Sequence, residues 1–121
     1  SQLINEERTK RMLDFIHRHY NEDLTVDSIA AAASISRSEC FRCFKRSINK
    51  KPVEYLNEYR VEKAIYYLEH TNVPITSIGY RCGFGSPSYF GKVFRTITGA
   101  PPRSYRHDTE DSAEEADGAN I

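Results

Sequence analysis

The chain has 121 residues, of which 39% are hydrophobic, enough for one compact domain with a modest core and too few for two independent domains of ordinary size. No apolar run approaches the roughly 18 residues that a membrane span needs, and the N-terminus lacks the basic-then-apolar pattern of a signal peptide, so a soluble, intracellular protein is expected. The formal net charge of +0 conceals an asymmetry: residues 1–106 carry all 17 Lys and Arg against 11 Asp and Glu, a balance of +6, while Asp108, Glu110, Asp111, Glu114, Glu115 and Asp117 fall in an aperiodic C-terminal stretch.

These numbers predict a folded basic domain over 1–107, inviting a polyanionic partner, and a disordered acidic tail over 108–121. The first residue is Ser1, which suggests an excised or tagged fragment whose Ser1 and Gln2 need not be native. The first predicted helix runs from about Glu6 to Tyr20, with Met12, Leu13, Phe15 and Ile16 inward. Next, Leu24 can staple against a helix that Thr25 caps, and the alanine-rich segment from Val26 to Ala33 favours helix. Ser34 and Ile35 make a turn. Ser36 then opens a second helix with Glu39 three residues on, the pattern of a reciprocal capping box, and Asn49 suits a left-handed C-cap.

Pro52 to Thr71 reads as an amphipathic helix with Tyr55, Leu56, Tyr59, Ala64, Ile65 and Leu68 apolar; at about 1.5 Å per residue it would span about 27 Å. Beyond it, Thr76 is expected to cap a short helix containing Ile78 and Tyr80, and Gly83-Phe84-Gly85 supplies backbone freedom for a sharp turn. Ser86 is the next cap, Pro87 occupies the first helical position, and Gly99 closes that helix. A last short turn lies around Pro102 to Arg106.

A shift of 50 residues superimposes two stretches of this chain: Ser36 on Ser86, Ser38 on Ser88, Phe44 on Phe94, Pro52 on Pro102 and Tyr55 on Tyr105. One structural unit therefore occurs twice, each copy a short helix, a tight turn and a second helix. The copies cover about 25–48 and 76–98, joined by the helix at about 52–70. Advancing about 100° per residue, the helix after Ser36 places Cys40, Cys43, Phe44 and Ser47 on one stripe, Ser38, Arg42 and Lys45 opposite, and Phe41 on the flank. The helix after Ser86 is expected to bury Phe90, Val93, Phe94 and Ile97 and to present Ser88, Lys92 and Arg95. A capped helix entered through a short helix and tight turn, basic opposite its core side, is what a major groove accepts.

Tyr55-Leu-x-x-x-Arg60-x-x-x-Ala64 and Ile78-x-x-x-Cys82-Gly83-Phe84-x-Ser86-x-Ser88-Tyr89-Phe90-x-Lys92-x-Phe94-Arg95-x-x-x-Gly99-x-x-Pro102-x-x-Tyr105-Arg106 resemble the signature of the AraC/XylS family over roughly residues 6–106. The first copy departs from that pattern: Cys40 stands where leucine is usual, and Phe41 where a polar residue often reads bases. The resemblance implies an all-α fold of about seven helices with two helix-turn-helix subdomains, a monomeric DNA-binding unit, and promoter activation through RNA polymerase. It also implies a cytoplasmic, nucleoid-associated bacterial regulator, with a sensing or dimerisation domain that can precede residue 1.

Candidate DNA-binding residues are Arg37, Ser38, Phe41, Arg42, Lys45, Ser88, Tyr89, Lys92 and Arg95. Arg42 suits bidentate bonding to guanine O6 and N7 or a phosphate clamp; Phe41 suits a thymine methyl or packing on the first short helix; Tyr89 suits a phosphate or a base. Candidate phosphate contacts are Ser36, Arg46, Lys50, Lys51, Ser86 and Arg103, the two serines being helix caps first. Arg60, on an apolar helix face, is expected to make a structural pairing with Glu54, Glu58 or Glu62. Cys40, Cys43 and Cys82 read as small apolar groups, neither a zinc site nor a redox motif. His17, His19, His70 and His107 are scattered without a nucleophile or paired carboxylates, so no enzyme, cofactor or metal is expected. The competing reading is a helical protein-interaction module whose basic faces bind an acidic partner.

Overall fold

The computed structural model describes residues 1–106 and is all-helical over them: α1 Gln2–His19, α2 Val26–Ala32, α3 Arg37–Ile48, α4 Pro52–His70, α5 Ile75–Arg81, α6 Pro87–Thr98, and a closing 3-10 turn Pro102–Tyr105. The acidic stretch 108–121 lies outside the described residues. The chain forms two compact units, Ser1–Tyr59 and Arg60 onward. Among the described residues no helix is long and apolar enough to cross a membrane.

In the first unit, α1, α2 and α3 close on a core of Met12, Ile16, Ile29, Cys40, Cys43 and Phe44, all fully buried. Helix α1 begins earlier than its apolar pattern, because the Ser1 hydroxyl accepts from Ile4 N at 3.3 Å and starts it at Gln2. The reciprocal capping box forms at α2: Thr25 Oγ1 accepts from Ser28 N at 3.0 Å and Ser28 Oγ accepts from Thr25 N at 2.9 Å. At α3 only half of the expected box exists. Ser36 Oγ accepts from Glu39 N at 3.1 Å, but arginines take the Glu39 carboxylate, which leaves Ser36 N without that acceptor. Ser47, on the core-side stripe of α3, meets α1 through Asn5 Nδ2 at 2.8 Å and Thr9 Oγ1 at 2.9 Å.

The second unit is built on aromatics. Phe84, Phe90, Phe94 and Tyr105 follow one another at ring-centroid separations of 5.0, 5.7 and 5.3 Å, edge-to-face or tilted as ring quadrupoles prefer. Gly79 lets α5 approach this stack: a Cβ there would sit 2.7 Å from Phe90 Cδ2. Thr76 does not cap α5. Pro74 is the N-cap, its carbonyl accepting from Ile78 N at 3.0 Å, so Ile75 opens the helix and Thr76 lies inside it. Ile97, expected in the core, is 41% exposed. It occupies the position of Ser47, which is likewise exposed although its hydroxyl meets α1.

Arg60, placed by the sequence on an apolar helix face, is buried, with its guanidinium 5.8 Å over the Phe84 ring. Two of the acids named for it are engaged in the first unit, Glu58 with Lys50 and Glu54 with the Lys51 backbone N–H. Arg106 is also buried and donates to the carbonyls of Tyr67, Leu68, Thr71 and Val73. A guanidinium there serves carbonyls at and just beyond the end of α4, and its positive charge suits the helix C-terminus.

Candidate nucleic-acid interface

The two helix-turn-helix turns are built alike. Ser34 N donates to Ala31 O at 3.0 Å and Ile35 N to Ala30 O at 3.2 Å; Gly83 N donates to Tyr80 O and Phe84 N to Gly79 O, each at 3.0 Å. This is the Schellman pairing that ends a helix with one left-handed residue, here Ser34 at φ 56° and Gly83 at φ 95°. Ile35 and Phe84 follow it and tuck inward, sending the chain into the next helix. The extra residue of the second copy, Gly85, comes after this motif and leaves it unchanged.

Each second helix is then capped and aimed. Ser86 Oγ accepts from Tyr89 N at 3.1 Å as Ser36 does from Glu39 N, and Asn49 and Gly99 both close their helices left-handed. Cys40, Cys43 and Phe44 of α3, and Phe90, Val93 and Phe94 of α6, face the two cores. Arg37, Ser38, Phe41, Arg42, Lys45 and Arg46 of α3 are exposed, as are Ser88, Tyr89, Lys92 and Arg95 of α6. The burial pattern thus puts each helix's candidate residues on the side away from its core.

The two faces differ in how their bases are held. On α3, Arg42 donates through Nε and Nη2 to Glu39 Oε1 at 3.0 and 2.7 Å, and Arg37 lies 3.7 Å from Asp27 and 5.7 Å over the Phe41 ring. On α6, Lys92 and Arg95 have no ion-pair partner among the described residues, and the same holds for Lys45, Arg46 and Arg103. Lys50, a candidate phosphate contact, is instead bonded to Glu58, which pushes its ammonium pKa up. Lys51 and Arg103 are exposed, whereas Ser36 and Ser86 serve their caps. Tyr89 packs its ring 6.0 Å from Phe84 while remaining 42% exposed.

Sequence reasoning missed Glu39, which joins the face through Arg42 and also accepts from Arg8 Nη1 of α1 at 3.4 Å. The available signal was its spacing of three residues from Arg42, which places both on one helix side. Arg42 holds the Glu39 carboxyl below the usual range first by hydrogen bonding and then by its charge, with Arg8 and Arg46 adding to the field. The three cysteines are free and buried, and among the described residues no group of His, Cys, Asp or Glu could hold a metal ion.

A family described as "Helix-turn-helix domain" matches residues 29–108. The chain is 42% identical over 106 residues to the uncharacterized HTH-type transcriptional regulator YdeC of Bacillus subtilis, covering 88% of this chain and 36% of that protein. It is 32% identical over 108 residues to the HTH-type transcriptional activator RhaS of an Enterobacter species, covering 89% and 39%. The chain thus spans well under half the length of these relatives. Among solved structures, the C-terminal domain of AraT, a response regulator from Geobacillus stearothermophilus, aligns with a TM-score of 0.80 at 29% identity, covering 84% of each chain. The DNA-binding domain of AdpA, solved in complex with a target DNA, aligns with a TM-score of 0.77 at 29% identity, covering 84% of this chain and 91% of that one.

Proposed function

Because the chain belongs to the AraC/XylS family of helix-turn-helix transcription regulators and carries its DNA-binding domain, we propose that residues 1–107 recognise one asymmetric promoter site by placing α3 and α6 in adjacent major grooves. The supporting observation is the duplication: two helices leave matching Schellman turns, carry matching serine caps, and turn basic polar faces away from their cores. Arg42 is the principal base reader, seconded by Lys92, which stands at the equivalent place on α6, and by Ser38 and Ser88. Arg37, Phe41, Lys45, Tyr89 and Arg95 complete the contact faces; Arg46, Lys50, Lys51 and Arg103, with the capped helix starts at Ser36 and Ser86, serve phosphates.

As part of a cytoplasmic, nucleoid-bound regulator, the domain binds as a monomer and activates transcription through RNA polymerase, as kinship to RhaS, named a transcriptional activator, supports. The test is selection of bound duplexes from a random pool with the wild type, Arg42→Ala and Lys92→Ala. Each substitution should relax preference at a different base pair, by about 1–3 kcal/mol of discrimination. If both relax the same positions, or neither relaxes any, the two-reader arrangement is wrong. Binding by an acidic protein partner would instead leave duplex preference flat.

A further inference from the structure

We propose that Glu39 is a positioning residue for base discrimination: its carboxylate holds the Arg42 guanidinium, before DNA arrives, in an orientation that leaves its end-on donor pair uncommitted. This rests on Arg42 reading a base. A guanidinium has five N–H donors. The Glu39 oxygen Oε1 accepts one from Nε and one from Nη2, and three remain, two on Nη1 and one on Nη2. Guanine presents O6 and N7 as adjacent acceptors, which an Nη1/Nη2 pair can meet while the Glu39 bonds persist.

The Arg42 side chain is 55% exposed, so the remaining donors are open to a ligand, whereas the Glu39 side chain is 27% exposed. The carboxylate is itself fixed from a second element, since Arg8 of α1 donates to its other oxygen, Oε2. Glu39 therefore links the body of the first unit to the arginine on its outer face. A freely rotating arginine loses several rotamers on docking to a base; one already held loses fewer, and wrong bases gain nothing from the held geometry. A carboxylate on a DNA-facing helix costs affinity for every duplex alike. Glu39 thus acts through selectivity rather than through overall binding strength.

The experiment measures, with the full chain at fixed salt, affinity for the selected duplex and for duplexes altered at single base pairs, in wild type, Arg42→Ala, Glu39→Gln and the double variant. Glu39→Gln should reduce discrimination about two- to tenfold, the equivalent of one immobilised side chain. The loss should fall only at the base pair that Arg42→Ala relaxes, with affinity for non-specific duplex unchanged or higher. In the Arg42→Ala background Glu39→Gln should add nothing. Arg8→Met, which leaves Glu39 ionised, should shift discrimination at that same pair in the same direction by less, and it reads the link even if Glu39→Gln fails to fold. If Arg42→Ala relaxes one position while Glu39→Gln leaves it unchanged or sharpens it, positioning is overturned and base reading by Arg42 stands. Relaxation at all positions equally would mark Glu39 as merely structural and overturn the proposal. If Arg42→Ala relaxes nothing, base reading by Arg42 fails and positioning fails with it.

Discussion

At the residue scale, the three buried thiols and Ser34 carry the clearest consequences. Burial pushes the Cys40 and Cys82 thiols from an ordinary value of 9.0 up to about 11, and Cys43 is raised for the same reason. The neutral forms are thus favoured by folding. Their contribution is fully present below pH 9.0 and is lost as pH climbs toward about 11, because the unfolded chain ionises first. Tm should fall across that window, less steeply in a Cys40→Ala, Cys82→Ala variant, and near pH 8 a thiol reagent should modify these cysteines only as fast as the protein opens. Rapid stoichiometric labelling of the folded chain would contradict this. Ser34 holds φ 56°, a conformation costing about 1–2 kcal/mol for a residue with a Cβ. Ser34→Gly should stabilise the first unit by about 0.5–1 kcal/mol after the added freedom of the unfolded glycine is counted, read as a higher urea midpoint at constant m.

At the scale of elements, the two copies solve one packing problem with exchanged volumes. Where the second unit sets Gly79 of α5 against Phe90 of α6, the first has Ala30 and Cys40 at the equivalent places in its core. Gly79→Ala should destabilise the second unit by about 1–3 kcal/mol, because a Cβ meets a ring that the Phe84 and Phe94 rings flank; helix propensity alone would give the opposite sign. Calorimetric unfolding decides between them, and a rise in Tm would show that the stack yields. Periodicity sufficed for the helices and for most of each core, since Cys40, Cys43, Phe44, Phe90, Val93 and Phe94 sit where a period of about 3.6 residues puts them. It could not reveal that Ile97, on the core-side stripe of α6, would emerge into solvent as Ser47 does at the equivalent place on α3. Local rules also miscarried where two groups compete: Glu39 suits a capping box, but arginines of α1 and α3 claim it. Pro74 opens α5 through its carbonyl, for which no side-chain pattern signals. Arg106 closes α4 across more than thirty residues of sequence, beyond the reach of any window. The candidate contact faces were legible because they are local to one helix each; of the links holding their arginines, Glu39 to Arg42 lies within α3 and had a local signal, whereas Asp27 to Arg37 and Arg8 to Glu39 cross between helices and had none.

At the scale of the whole molecule, the proposed function makes recognition depend on two units in one covalent chain engaging one duplex. Neither unit needs to bind tightly alone, because once one is docked the other meets its groove at a high effective concentration set by the tether. That gain exists only if both motifs can be reached together, on grooves recurring along one face of the duplex about every 10–10.5 bp. Inserting about five base pairs, half a turn, between the motifs of a selected site should therefore lower affinity to that of a single half-site, whereas inserting about ten restores the face and should recover part of it. The same loss should appear as a shallower salt dependence, since the slope of log K against log salt counts neutralised phosphates and one docked unit neutralises fewer. Titration at fixed salt with a stoichiometry of one chain per duplex distinguishes the cases. Equal affinity for the half-turn insertion, with an unchanged salt slope, would mean that one unit carries all the binding and that the duplication serves some purpose other than reading a two-part site.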